Sequence, residues 1–285
     1  MADGIVRILA GVVYLGGSAA IFIFGSSYYQ LFRTNRSTLF RGALVLAFSV
    51  ATWLLMRSTL DPAWGALSFA FLAAAIANLL GAGAASLQRP LGIKDTTLKG
   101  MALGKGLEAI VVVGSILALA GALRVPLGSL TLQTGRLGLG LATGLGGFAL
   151  FALLAAGQAR SMKIPSATVL RLLPWILVFV FANAFMEELW LRALFLGPLV
   201  SLIGPIAAIV LTGAVFALAH IGVSYMSGQE RLRFLAILLP LGLAWGACIY
   251  FTGSVLASTL FHAGADLIIV NGFIADLHVE KPAEA

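Results

Sequence analysis

At 285 residues, 60% of them hydrophobic and only 10% charged, with a mean hydropathy of +1.03, the chain carries under half the charge of a soluble domain, which is about a quarter charged. These values exclude a soluble globular fold and a disordered chain, and they define an integral membrane protein. The single cysteine, Cys248, excludes a disulfide framework and a cysteine-only metal cluster. The net charge of +7 does not describe a nucleic-acid surface, because the basic residues punctuate apolar runs instead of gathering on one soluble face.

A spanning helix needs about 20 mostly apolar residues to cross a hydrocarbon core of ~30 Å. Nine mostly apolar runs qualify as candidates, near 8–32, 42–58, 63–88, 107–124, 137–159, 172–200, 203–223, 234–252 and 254–275. The first is too long for a signal peptide, and Asp3 precedes Arg7 where a purely basic segment is expected. The second and fourth are short between charges, from Arg41 to Arg57 and from Glu108 to Arg124, so their ends must snorkel into the headgroups. In the fifth, Gly138, Gly140, Gly144 and Gly147 read as small residues that let helices approach closely, since no strand precedes them to build a phosphate loop.

The loops between these runs fix an expected orientation. The odd-numbered loops carry Arg33, Arg36 and Arg41, then Arg89, Lys94, Lys99 and Lys105, then Arg160, Lys163 and Arg171, then Arg231 and Arg233, and Lys281 follows on the tail. The other side has Arg7, Arg57, Arg124 and Arg136. Thirteen cations against four place the odd loops and the C-terminus in the cytoplasm, and nine spans then put the N-terminus outside.

Before about residue 165 the ionisable residues sit mainly in loops, and after it they enter the helices. An ionisable group at the bilayer centre costs at least ~2.5–3.5 kcal/mol, so it faces a bundle interior and marks function. There are six: Glu187, Glu188 and Arg192 on the sixth span, His220 on the seventh, and His262 and Asp266 on the ninth. Glu188 and Arg192 are four apart with the acid first, the favourable order for an ion pair. Glu187 lies about 100° round the helix and stays free to act as base or ligand. Asn183, one turn earlier, shares the face of Glu187 and is expected to orient it. Phe216, one turn before His220, can wall that imidazole from lipid and water. His262 and Asp266 again share a face, with Ala263, Gly264 and Ala265 leaving room for a substrate backbone, and His278 reads as solvated tail.

Two imidazoles with one or two carboxylates suit a divalent ion such as zinc, and Glu187, His220, His262 and Asp266 are the candidate ligands. A bound water would then be activated and its proton taken by a carboxylate, which points to peptide hydrolysis within the membrane. The His-Glu-x-x-His of zincins is absent, only Asp266 serves an aspartyl mechanism, and Gly253-Ser254-Val255 is not the Gly-x-Ser-Gly turn of rhomboids.

Glu-Glu-x-x-x-Arg at 187–192, Phe-x-x-x-His at 216–220 and His-x-x-x-Asp at 262–266, with one silent helix between the last two, resemble the CPBP family. That family comprises type II CAAX prenyl endopeptidases and bacterial bacteriocin-processing or Abi proteins, and the resemblance covers about 170–275. It implies that Glu187 activates water, that Glu188 and Arg192 support it, that His220 positions water or metal, and that His262 and Asp266 form the final pair. The family has been interpreted both as zinc metalloproteases and as metal-free glutamate and histidine enzymes whose last pair forms an oxyanion hole. CAAX enzymes typically have Asn where this chain has Asp266. An ionised Asp cannot donate to an oxyanion, so Asp266 is protonated, orients His262 or binds a cation.

The expected protein is an all-α, polytopic transmembrane bundle of eight or nine spans. Accessory helices occupy 1–165, a four-helix catalytic core 170–275, and a polar cytoplasmic tail 276–285. The expected activity is endopeptidase cleavage of a membrane-embedded or lipidated protein in a bacterial inner membrane, with metal assistance and no nucleic-acid partner. An ion-coupled transporter and a non-catalytic immunity or scaffold protein remain the alternatives. Glu187 and His262 fall in the middle of their spans and His220 near the cytoplasmic end of its own, so convergence requires tilted or offset helices and a cavity open toward the cytoplasmic leaflet.

Overall fold

The computed structural model describes residues 2–25, 35–221 and 228–279, and all regular structure among them is helical. Arg33, Glu280 and Lys281 lie outside the described residues, as do the side chains of Arg36 and His278. Helix α1 (Ala2–Ser18) continues as a π-helical turn (Ala19–Phe24) and is followed by α2 (Asn35–Leu55), α3 (Pro62–Gln88), α4 (Leu98–Ala122) and α5 (Leu137–Ser161). Helix α6 (Ser166–Glu187) runs through a second π-helical turn (Glu188–Ala193) into α7 (Leu194–Ile203), and α8 (Pro205–Ala219), α9 (Gly228–Thr252) and α10 (Val255–Val279) complete the bundle. Among the described residues, eight helical stretches are long and apolar enough to cross a membrane. The chain is a multi-pass, all-α membrane protein.

The seventh apolar run is the exception. Helix α8 has 15 residues, so at 1.5 Å per residue it measures about 22 Å, less than a bilayer core. Gly204 opens it with φ 84°, a conformation that costs glycine little, and Pro205 takes the first helical position, where no N–H is needed. It ends at its C-cap, His220. Helices α2 and α4, by contrast, are longer than their uncharged runs. Both start ahead of the charges that bounded those runs, because the charges find partners inside the bundle. Lys105 and Glu108 pair at 2.7 Å on α4. Arg41 is buried within α2 instead of lying in a loop, and its Nε donates to Gly25 O at 2.6 Å.

That contact serves the first π-helical turn. A widened turn strains the backbone ladder, and in a membrane no water replaces a lost bond. Gly25 N–H returns to Ala20 O at 2.9 Å, Asn78 on α3 donates to Ile21 O at 2.8 Å, and Arg41 takes the carbonyl of Gly25. The turn also carries Phe22, which meets Trp190 edge-on with ring centroids 5.3 Å apart. Trp190 in turn donates its indole N–H to Ala74 O on α3 at 3.2 Å. The first three helices are thereby fastened to the second π-helical turn.

Helix α10 is the most enclosed of the later long spans and lies along α5. A Cβ on Gly264 would stand 2.6 Å from Phe148 Cα, and one on Gly144 would stand 2.9 Å from Ala257 O, so both glycines permit the close approach. Gly138 meets nothing within 4 Å and has no such role.

Candidate functional site

Three helices deliver the six ionisable residues to one place. The second π-helical turn begins immediately after Glu187, with Leu194 N–H reaching back five residues to Leu189 O. Such a turn often marks a functional site, and here it follows two adjacent carboxylates. Helix α8 stops short at His220, which brings an imidazole from a helix end to the level of a mid-helix glutamate. The offset that convergence requires is therefore met by a short helix.

The two glutamates occupy opposite environments. Glu188 is fully buried and committed. It pairs with Arg192, accepts the hydroxyl of Ser258 at 2.6 Å, and lies 2.7 Å from His262 Nδ1. Glu187 keeps 14% exposure and sits 3.6 Å from His220 Nε2 and 3.8 Å from His262 Nε2. One carboxylate is sealed into the frame and the other faces a cavity.

Both imidazoles have their δ nitrogen anchored. His220 Nδ1 stands 2.8 Å from Phe216 O. A carbonyl only accepts, so Nδ1 carries a hydrogen and Nε2 is the nitrogen turned toward Glu187. The carboxylate of Glu188 likewise accepts the Nδ1–H of His262. Asp266 approaches His262 Nε2 at 3.5 Å, so its tie to His262 is looser than that of Glu188.

An aromatic wall backs this arrangement. Trp245 stacks on the His262 ring with centroids 4.0 Å apart and planes 14° from parallel, and Phe216 packs against His220 at 4.6 Å and edge-on to His262 at 5.7 Å. The Arg192 guanidinium lies 3.8 Å from the centroid of Phe216 and 5.1 Å from that of Trp245, both cation–π distances. A buried arginine is costly unless paired, and the carboxylate with two ring faces offsets that cost.

Two readings of the sequence are corrected. Asn183 does not bond Glu187. Its Nδ2 donates to Asp266 Oδ2 at 3.0 Å, across from α6 to α10. Helix α9 is not silent either, since it supplies Trp245. Ser258 was also missed, although Ser258, His262 and Asp266 recur every four residues and so mark one face of α10.

The site opens into a cavity of about 640 Å³ that runs between α4, α6, α9 and α10. Its lining is mainly apolar and includes Met101, Phe179, Phe234, Leu238, Ile269 and Phe273, with Lys105, Glu108 and Asp276 also on its wall. Phe22 and Asn78 reach it from the first π-helical turn and α3, so the early helices line it too. Glu187, Asn183, His220, His262 and Asp266 share this wall.

Glu187, His220, His262 and Asp266 offer the oxygen and nitrogen donors that zinc accepts. Among the described residues, no group of three or more His, Cys, Asp or Glu side chains is arranged to hold a metal ion.

Residues 169–268 match the family described as Type II CAAX prenyl endopeptidase Rce1-like. No curated protein and no solved structure matches the chain.

Proposed function

We propose, from the membership of residues 169–268 in the Type II CAAX prenyl endopeptidase Rce1-like family, that this protein is an intramembrane endopeptidase acting on a membrane-embedded or lipidated protein. The observation that supports the reading best is the division of labour between Glu187 and Glu188: two adjacent carboxylates, one neutralised by Arg192 and one facing a cavity between two imidazoles. A transporter would use carboxylates spaced along a path, whereas here Glu187, Glu188, His220, His262 and Asp266 converge in one cluster.

In this reading a water between Glu187 and His220 loses its proton to Glu187 as it attacks the scissile carbonyl. His220, its tautomer held by Phe216 O, positions that water through Nε2. Glu187 then returns the proton to the leaving amine, the exchange that a positioned general acid and base performs. Glu188, Ser258 and Trp245 hold His262 in place behind the reacting groups. The apolar cavity receives the extended tail of the substrate and excludes bulk water from it.

Both imidazoles have their second nitrogen anchored, as metal-bound histidines commonly do. A divalent ion held by Glu187, His220 and His262 would add Lewis-acid polarisation of the substrate carbonyl. Dialysis against a chelator separates the two forms of the mechanism: activity lost and restored by zinc assigns the ion, and activity retained assigns the residues alone.

The cavity extends from the cluster toward the starts of α4 and α9 and the end of α10, where Lys105 and Asp276 stand. Cations gather at those helix starts, Lys94, Lys99 and Lys105 about the start of α4 and Arg231 and Arg233 in the first turns of α9, which supports a mouth on the cytoplasmic side of a bacterial inner membrane. Cysteine accessibility at position 220 from the cytoplasmic side alone is the expected result.

The activity is tested by comparing membrane proteomes of cells carrying the intact protein and the Glu187→Gln variant. A precursor should accumulate with the variant. Identical proteomes, together with ion flux in proteoliposomes, would favour transport.

A further inference from the structure

Hydrolysis of a peptide bond builds negative charge on the carbonyl oxygen, and the site must supply a donor for it. The four groups nearest the reacting atoms are poor candidates. Glu187 and Asp266 are carboxylates, and His220 and His262 turn Nδ1 to Phe216 O and Glu188 and have carboxylates within 4 Å of Nε2. Arg192 lies behind the site, between Phe216 and Trp245, and does not line the cavity.

We propose that Asn183 is the donor that holds the scissile carbonyl oxygen and that Asp266 is the residue that positions it. This rests on the protease reading above and adds a role to it. Asn183 lies one turn before Glu187 on α6, Asp266 lies one turn after His262 on α10, and all four line the same cavity. Asn183 Nδ2 donates to Asp266 Oδ2 at 3.0 Å. A primary amide can be turned either way in most surroundings, but a carboxylate at that distance accepts only the NH2 end, because the carbonyl end would meet it lone pair to lone pair. Asp266 therefore fixes which way the amide faces. One N–H is spent on Asp266 and the second remains for a ligand in the cavity. The donor is neutral and keeps its hydrogens whatever the protonation of the imidazoles, so it stabilises the oxyanion without competing for the proton that Glu187 carries. Asp266, only 2% exposed, acts through the amide and does not itself meet the oxyanion.

The test uses the precursor that accumulates in Glu187→Gln membranes, purified and presented to detergent-solubilised enzyme of matched monodispersity. Asn183→Ala should lower kcat by roughly 10²–10³, the cost of losing one such donor, with a much smaller change in KM. Asn183→Asp should be as poor, since two carboxylates then face each other. Adding Asp266→Asn to that variant restores an amide opposite a carboxylate and should recover at least tenfold. Asn183→Ala with intact kcat, while Glu187→Gln is inactive, would overturn the inference alone. Failure of the exchanged pair to recover would overturn the positioning role of Asp266. A precursor that the intact enzyme does not cleave would overturn the protease reading and this inference with it.

Discussion

The two sides of the second π-helical turn make an instructive contrast. On the side of Glu188 the carboxylate is enclosed and paired: it meets Arg192, Ser258 and His262, and Trp245 and Phe216 cover the guanidinium. On the side of Glu187 the nearest nitrogens stand 3.6 and 3.8 Å away, and the residue faces a cavity. Adjacent positions in the chain therefore do different work. Where water is absent, a charge either completes its bonds within the protein or keeps capacity for a substrate, and the fold separates these outcomes by about 100° of helix rotation.

The contrast predicts where substitutions act. The largest effect is expected at the open side: His220→Ala should lower the cleavage rate by roughly 10²–10⁴, as loss of a positioned acid–base partner does, while the unfolding midpoint in detergent changes little. At the sealed side the order reverses. Glu188→Ala leaves the Arg192 charge uncompensated and should cost about 3–5 kcal/mol of stability, seen as a lower denaturation midpoint or loss of folded protein. Ser258→Ala removes one hydrogen bond to a charged group and should cost roughly 1.5–3 kcal/mol, read by the same unfolding curve. Furthest from the chemistry, Trp190→Phe removes the bond to Ala74 O and should cost roughly 0.5–1.5 kcal/mol, with cleavage largely kept. A sealed-side substitution that removed activity at full stability would break the comparison.

Much of this was legible in the sequence because charge is scarce. The rarity of ionisable residues inside apolar runs singled out Glu187, Glu188, Arg192, His220, His262 and Asp266, and all six converge. Helical spacing also gave the pairing of Glu188 with Arg192 on one helix. Spacing says which residues share a face but not what that face meets, so the partner of Asn183, which stands on α10, was out of reach. Trp245 was hidden for a related reason: an indole in an apolar helix carries no signal until its ring is found stacked on His262. Nor did composition announce the short α8. Its apolar run is continuous, and the stop at Ala219 becomes visible only when the helix ends at the level of Glu187. Charges that bounded apolar runs on α2 and α4 misled in the opposite direction, since Arg41 and the pair of Lys105 and Glu108 are satisfied within helices that pass straight through them.

The most direct test of the central claim is the cleavage rate of folded Glu187→Gln against that of the intact enzyme, measured on the same precursor. The substitution keeps the shape of the side chain and removes its basicity. Loss of cleavage with an unchanged denaturation midpoint is the expected result, and cleavage at the intact rate would contradict the assignment of Glu187 as the group that activates water.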